Sequence, residues 1–157
     1  MKLKIFLPAI FLLLCTSCSL NNSDDPASES QREIEIYQWH LTNVSGGIAG
    51  VDIDFDMDII IYVFSVDSNG NGTLSVQNNN DDNTLEDGLD TGVYAISIPA
   101  YDTNSILFVD GTEYGAIVTP NIESGEDLII DQNITSTGTL SDGFKYTFKR
   151  KIITQTI

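Results

Sequence analysis

Four aspartates stand at alternate positions in "VDIDFDMD", Asp52, Asp54, Asp56 and Asp58, and carboxylate oxygen is what a hard cation such as calcium binds. The spacing argues against one centre. In an extended chain alternate residues lie ~6.6 Å apart and the four span ~20 Å, whereas calcium needs its oxygens at about 2.3–2.6 Å from one point. A second candidate is "DSNGNG" at 67–72, where Asp67, Asn69, Asn71 and Gly72 match the opening of a D-x-[DN]-x-[DN]-G calcium loop. Its twelfth position is Asn78 instead of the bidentate glutamate, and its flanks read as strands. An Asn/Gly hairpin turn accounts for the same residues, so Asp67, Asn69 and Asn71 are retained only as subordinate calcium ligands. A third acidic stretch, "NNNDDNTLEDGLD" at 78–90, holds Asp81, Asp82, Glu86, Asp87 and Asp90. Its preferred reading is a solvated, mobile loop.

Catalytic chemistry has little to build on. His40 is the only histidine, so no histidine metal cluster exists, and nothing in the sequence places a serine and an acid beside it. Its parity opposes that of Trp39, which puts it on the outer, wet face of a strand. With 23 acidic residues, a pair of carboxylates somewhere carries no information. "SGGIAG" at 45–50 lacks the lysine and the strand-to-helix setting of a phosphate loop, so its glycines mark flexibility. Enzymatic activity is not expected, and no catalytic residue or resident cofactor is assigned; calcium is the one metal the acidic loops suggest.

The N-terminus says where the protein works. Lys2 and Lys4 precede an apolar run from Ile5 to Leu14, the charged and hydrophobic parts of a secretory signal, and that run is about half the ~20 residues a membrane span needs. "CTSCS" comes next, with Thr16 and Ser17 before Cys18, and this stretch resembles a bacterial lipoprotein signal. The resemblance implies cleavage before Cys18 and lipidation of its thiol, leaving residues 1–17 as signal peptide. Cys15 would leave with the signal, so the remaining chain has no thiol chemistry. Residues 18–32, "CSLNNSDDPASESQR", are polar and proline-interrupted, as in a flexible tether. "SDDP" resembles the acidic export stretch of Bacteroidetes surface lipoproteins, and Ser19 in place of aspartate after the cysteine favours the outer membrane, with periplasmic and cell-surface orientations both open. Anchoring through acyl chains makes the membrane a partner without a spanning segment.

Removing Lys2 and Lys4 leaves five cations against 23 acids, a net −18. Such a balance repels phosphate backbones and anionic headgroups, so nucleic acid is excluded as a partner.

Turn signals recur about every ten residues between short β-branched and aromatic runs, and no window sustains a helical period. Residues 33–157 therefore read as one all-β domain with strands near 35–42, 57–66, 73–78, 91–99, 105–110, 113–120, 126–132 and 143–151. Hairpin-sized connections favour a single antiparallel up-and-down barrel of about eight strands, with a meandering β-sandwich as the alternative. "YQWHL", "GTLSV", "TGVYAISI" and "YTFKR" resemble segments of bacterial lipocalin-like lipoproteins. That resemblance implies that Trp39 on the first strand closes one barrel end beneath Arg150 of the last. Strand parity puts Arg150 with Tyr146 and Phe148, where its guanidinium is expected over the indole. Tyr37 stands where lipocalins carry glycine, and their C-terminal helix has no counterpart, so a lipocalin-like barrel is implied, not a lipocalin ligand.

A strip from 51 to 66 would be ~50 Å long, far beyond an ordinary strand. It is expected to break near Asp56–Asp58, leaving Val51, Ile53, Phe55 and Met57 as the apolar side of a lid or strand approach, with Ile59, Ile61 and Val63 continuing that buried parity. Aromatic rings of ~150–250 Å² each are numerous enough to fill a small barrel. The expected function is a non-enzymatic cell-envelope lipoprotein whose barrel is a binding or interaction module for protein or glycan. The alternatives are a carrier of a small apolar ligand and a calcium-stabilised acidic adhesion module.

Overall fold

The computed structural model describes residues 32–101, 104–118 and 127–157; the signal peptide, Cys18 and the tether before Arg32 lie outside the described residues. The described chain is all β. Its strands are β1 (Glu33–Gly46), β2 (Val51–Asp54), β3 (Ile60–Val66), β4 (Asn71–Asn78), β5 (Gly92–Ser97), β6 (Ala100–Tyr101), β7 (Asn104–Val109), β8 (Thr112–Ile117), β9 (Leu128–Asp131), β10 (Ile134–Thr135), β11 (Gly138–Thr139) and β12 (Phe144–Thr156). Neighbours run β1-β3-β4-β5-β7-β8-β9-β12, and β12 pairs back onto β1. This closes an eight-stranded antiparallel barrel, and closure rules out the sandwich. All eight expected strands form the wall, which is lipocalin-like in its up-and-down order.

Alternation makes the wall. In β4 Leu74 and Val76 are buried while Thr73, Ser75 and Gln77 are exposed, and in β12 Tyr146 and Phe148 are buried between exposed Lys145 and Lys149. Two irregularities reset this period. Thr42 bulges between Leu41 and Asn43, so that both Leu41 and Val44 face inward. Asp58, at φ 72, separates β2 from β3, and across it the inward parity changes. Ile60 and Tyr62 are fully buried and Phe64 packs against the core, whereas Ile59, Ile61 and Val63 are only half-buried. The expected continuation of one parity through Ile59, Ile61 and Val63 is thus corrected: a non-glycine residue in the left-handed region ends the strand and rotates the chain beyond it.

The break falls where the length argument put it, but its first half is no detached lid. Val51–Asp54 pair with Asn43–Gly46, and the Phe55 amide donates to the Thr42 carbonyl. β2 thus extends the wall beside β3 along the same edge of β1. Val51, Ile53 and Phe55 are half-buried, with Phe55 on the core, and Met57 is exposed.

At the other end of β1, residues 33–38 pair with 151–156 of β12, and among the described residues these segments pair only with each other. They form a two-stranded ribbon that projects past the barrel and is closed by reciprocal backbone hydrogen bonds between Arg32 and Ile157. The tether joins the domain here. This rim, with the 67–70 turn and the start of β9, is the proximal end; the 47–50, 79–91, 110–111 and 132–143 connections form the distal end.

Candidate functional site

The barrel interior is filled. Leu41, Val44, Ile60, Tyr62, Leu74, Leu107, Ile130, Tyr146 and Phe148 are all buried, with Tyr62 tilted against Phe148 at a ring separation of 4.8 Å. What remains at the proximal end is an apolar cleft of about 190 Å³, lined by Tyr37, Trp39, Phe64, Val66, Ile98, Ile117 and Leu128. Ligand pockets ordinarily measure ~300–1,000 Å³, so this cleft suits a short apolar group, not a whole lipid.

Trp39 is buried at the cleft and stands directly across from Arg150 in register, as the two residues were expected to meet. The ring under the guanidinium is a different one. Arg150 Cζ lies 5.4 Å from the centroid of Tyr37, so the expected stacking on the indole is corrected to the tyrosine two residues earlier. Trp39 is packed among apolar neighbours, and Arg150 reaches diagonally toward the rim to lie over Tyr37. The contact contributes about 0.5–1 kcal/mol at such a partly exposed site.

The distal end is plugged by the acidic loop between β4 and β5. The Leu89 amide donates to the Tyr62 hydroxyl at 2.8 Å, and the Tyr146 hydroxyl donates to Glu86 Oε1 at 2.8 Å. Tyr62 belongs to β3 and Tyr146 to β12, so the loop reaches well across the barrel mouth. Gly88, at φ 88, allows the close approach: a Cβ there would sit 2.6 Å from the Tyr62 hydroxyl. Further hydrogen bonds hold the loop from outside, Asn78 with Thr91, Asn80 with Asp87 and Asp82 with Thr84. The expected mobile loop is therefore corrected to an ordered plug, with Glu86, Asp87, Gly88 and Leu89 half-buried.

Beneath the plug Tyr114 stacks on Tyr146, ring centroids 5.7 Å apart, and its buried hydroxyl has no hydrogen-bond partner. Burial pushes all three phenols up, and for Tyr146 the Glu86 carboxylate adds to that rise. They stay neutral hydroxyls at physiological pH and supply no phenolate for catalysis.

His40 points to the outer face, as its parity requires, but it is not a surface residue: its relative exposure is 0%. The backbone N–H of Asp58 donates to His40 Nδ1 at 3.1 Å, and Lys151 Nζ donates to Asp58 Oδ1 at 2.8 Å. The segment before β3 thus folds over the imidazole and is fastened to β12. Accepting at Nδ1 places the neutral proton on Nε2, a buried atom without a partner. Desolvation holds His40 below its ordinary value and Lys151 pushes the same way, against the pull of Asp58.

The aspartate row is the wet side of a strand. Asn43 Nδ2 donates to Asp52 at 2.8 Å and to Asp54 at 3.0 Å, so one side-chain amide bridges the pair. Asp67 Oδ1 accepts the backbone N–H groups of Asn69 and Asn71, both at 2.9 Å. That carboxylate organises a hairpin turn, and Asn69 and Asn71 take part through their backbones. Among the described residues no three His, Cys, Asp or Glu side chains are grouped to hold a metal.

Sequence reasoning missed the plug and the covered histidine. The signal for the plug was "LEDGL", an apolar residue on each side of an acidic, glycine-containing turn; for His40 there was none, because parity gives the face and not what lies over it. Compared with protein families, curated proteins and solved structures, the chain matches none of them.

Proposed function

We propose that this chain is a non-enzymatic envelope lipoprotein, lipidated at Cys18, whose lipocalin-like barrel is a filled scaffold presenting an interaction surface to protein or glycan partners. The filled and plugged interior carries this reading: with Tyr62, Tyr146 and Phe148 packed inside and Leu89 drawn over them, recognition belongs to the ends. The distal end supports it, because its Asn- and Asp-rich loop is held in one shape and encloses a polar hollow of about 440 Å³ lined by Asn78, Asn80, Asn83, Leu85, Asp87, Asp90 and Thr91. Amides, hydroxyls and carboxylates fixed in place suit hydroxyl-rich or cationic partners.

Replacing Cys18 with alanine tests the anchor. The variant is expected in the soluble fraction of the envelope while the parent remains with membranes, and a membrane-bound C18A protein refutes the lipoprotein reading. The carrier reading is favoured only by the proximal cleft. Mass spectrometry of an organic extract from natively purified protein decides it: a stoichiometric apolar compound would turn the scaffold into a carrier.

A further inference from the structure

The two ends of the barrel differ in charge. Of the five cations that come after Cys18, four belong to the proximal half, Arg32 at the ribbon's tip and Lys149, Arg150 and Lys151 on β12. Among the described residues the acids near this end are Glu33, Glu35, Asp67, Asp127 and Asp58, the last bonded to Lys151, so five described carboxylates stand against four cations. The distal side has Lys145 against Asp52, Asp54 and Asp56, the five acids of the plug loop, Asp110, Glu113, Asp131 and Asp142. Tyr37 and Ser45 on β1 are ~26 Å apart along the strand, more than twice the ~10 Å screening length of ordinary salt. The distal acids therefore do not set the potential at the proximal rim, although they dominate the net charge.

Large apolar side chains meet water at both ends, Ile48, Leu85 and Leu140 on the distal connections among them, but at the proximal rim they adjoin an apolar cleft. Tyr37 is 41% exposed, Val66 47% and Ile152 46%. Tyr37 and Val66 line the cleft, Ile152 is the cross-strand partner of Tyr37, and Arg150 lies over the Tyr37 ring. An apolar patch rimmed by aromatic and cationic groups matches a bilayer interface, where tyrosine sits at headgroup depth and long cationic side chains lie along apolar surface. Arg32, the first described residue, lies at this end, so the patch is where the chain that follows Cys18 joins the barrel.

We propose that the proximal rim docks on the bilayer that carries the anchor, seating Tyr37, Val66 and Ile152 at the lipid interface and directing the acidic, plugged end away from it. The proposal rests on the lipoprotein reading. A short tether between Cys18 and Arg32 would give an effective concentration on the order of millimolar, so a contact with Kd of about 1 mM would hold the barrel docked roughly half the time. A weak apolar contact suffices, and no strong electrostatic attraction is required.

The test uses Trp39, the only tryptophan in the chain and a lining residue of the cleft. The full lipidated protein is reconstituted into phosphatidylcholine vesicles with or without lipids bearing a nitroxide near the headgroup end of the acyl chain. Docking predicts quenching of Trp39 fluorescence by these lipids, and loss of that quenching in a V66D/I152D variant whose exposed substitutions leave its melting curve cooperative. Protein that floats with the vesicles but is not quenched overturns the docking while leaving the anchor intact. Quenching that persists in the variant also overturns it, because lipid then approaches by another face. Protein that does not float removes the anchor reading and the docking with it. A concentration-dependent dimer that shields Trp39 from aqueous quencher without lipid quenching assigns the rim to a second copy and overturns the proposal.

Discussion

His40 makes the stability of this barrel depend on pH below its ordinary value of 6.5. The imidazole is buried beneath the 55–59 segment, accepts the Asp58 amide at Nδ1 and has no partner at Nε2. The charged groups facing it are Asp58 from that segment and Lys149 and Lys151 from β12, while Ile61 of β3 lies opposite and is neutral. Desolvation, assisted by Lys151, holds its pKa below the ordinary 6.5. Above pH 6.5 folded and unfolded chains are both neutral at this site, and no stability is at stake. Below it the unfolded chain takes up a proton that the folded chain resists, so stability falls with pH by up to about 1.4 kcal/mol per unit until the folded pKa is reached. Asp58 is also held low, first by its hydrogen bond from Lys151, but its loss comes only at the acid end of the carboxylate range. Denaturant unfolding at several values between pH 7.5 and 5 should show this decline in the parent. H40Q, which keeps an acceptor but cannot titrate, should be flat over the same range. K151M leaves Asp58 to attract the proton, raises the His40 pKa and makes the decline shallower. With one histidine in the chain, its proton NMR titration reads the folded value directly. A pKa at or above 6.5, or parallel decline in the parent and H40Q, refutes the assignment.

The plug yields two more predictions. Y114F deletes a buried hydroxyl without a partner and should be neutral or stabilising, whereas Y62F strands the Leu89 amide and should cost about 1–3 kcal/mol; equal effects in thermal unfolding would disprove the hydrogen-bond assignment. G88A places a methyl against the Tyr62 hydroxyl in a left-handed backbone, costing at least about 1 kcal/mol and increasing hydrogen exchange at the Leu89 amide; unchanged exchange would show that the loop does not seal the mouth.

Period-2 patterning located the eight wall strands because each has one buried face; at the turn between β7 and β8, Asp110 and Gly111 both take positive φ, 49 and 79, as a type I′ hairpin requires. The same rule failed at Thr42 and Asp58, where one residue resets the face. Neither a bulge nor a left-handed aspartate has a strong local signature, and both are set by pairing with segments far along the chain. Trp39 and Arg150 were legible as partners because register is dictated by two long antiparallel strands. The choice of Tyr37 over Trp39 was not, since it depends on how a long, flexible side chain leans once its neighbours are packed. The aspartate row was legible from its alternate spacing, which marks a strand and not a metal centre, but Asn43, the residue that bridges two of the carboxylates, lies on another strand.

These departures concern what covers the barrel, and they bear on function more than the wall does. A small barrel filled by its own aromatics has no interior left for specificity, so evolution can vary only its ends and outer face. Here the ends have been made unlike. One is sealed by hydrogen bonds between loop and tyrosines and surrounded by carboxylates, which keeps it soluble and its shape fixed. The other keeps Tyr37, Val66 and Ile152 at the surface beside an apolar cleft, a combination that water disfavours unless something covers it. The strap over His40 ties the segment between β2 and β3 to β12 between the two ends, a fastening that does not use the plug. In the proposed anchored scaffold a docked rim would fix the direction of the barrel, and the sealed end would meet a partner without deforming the core.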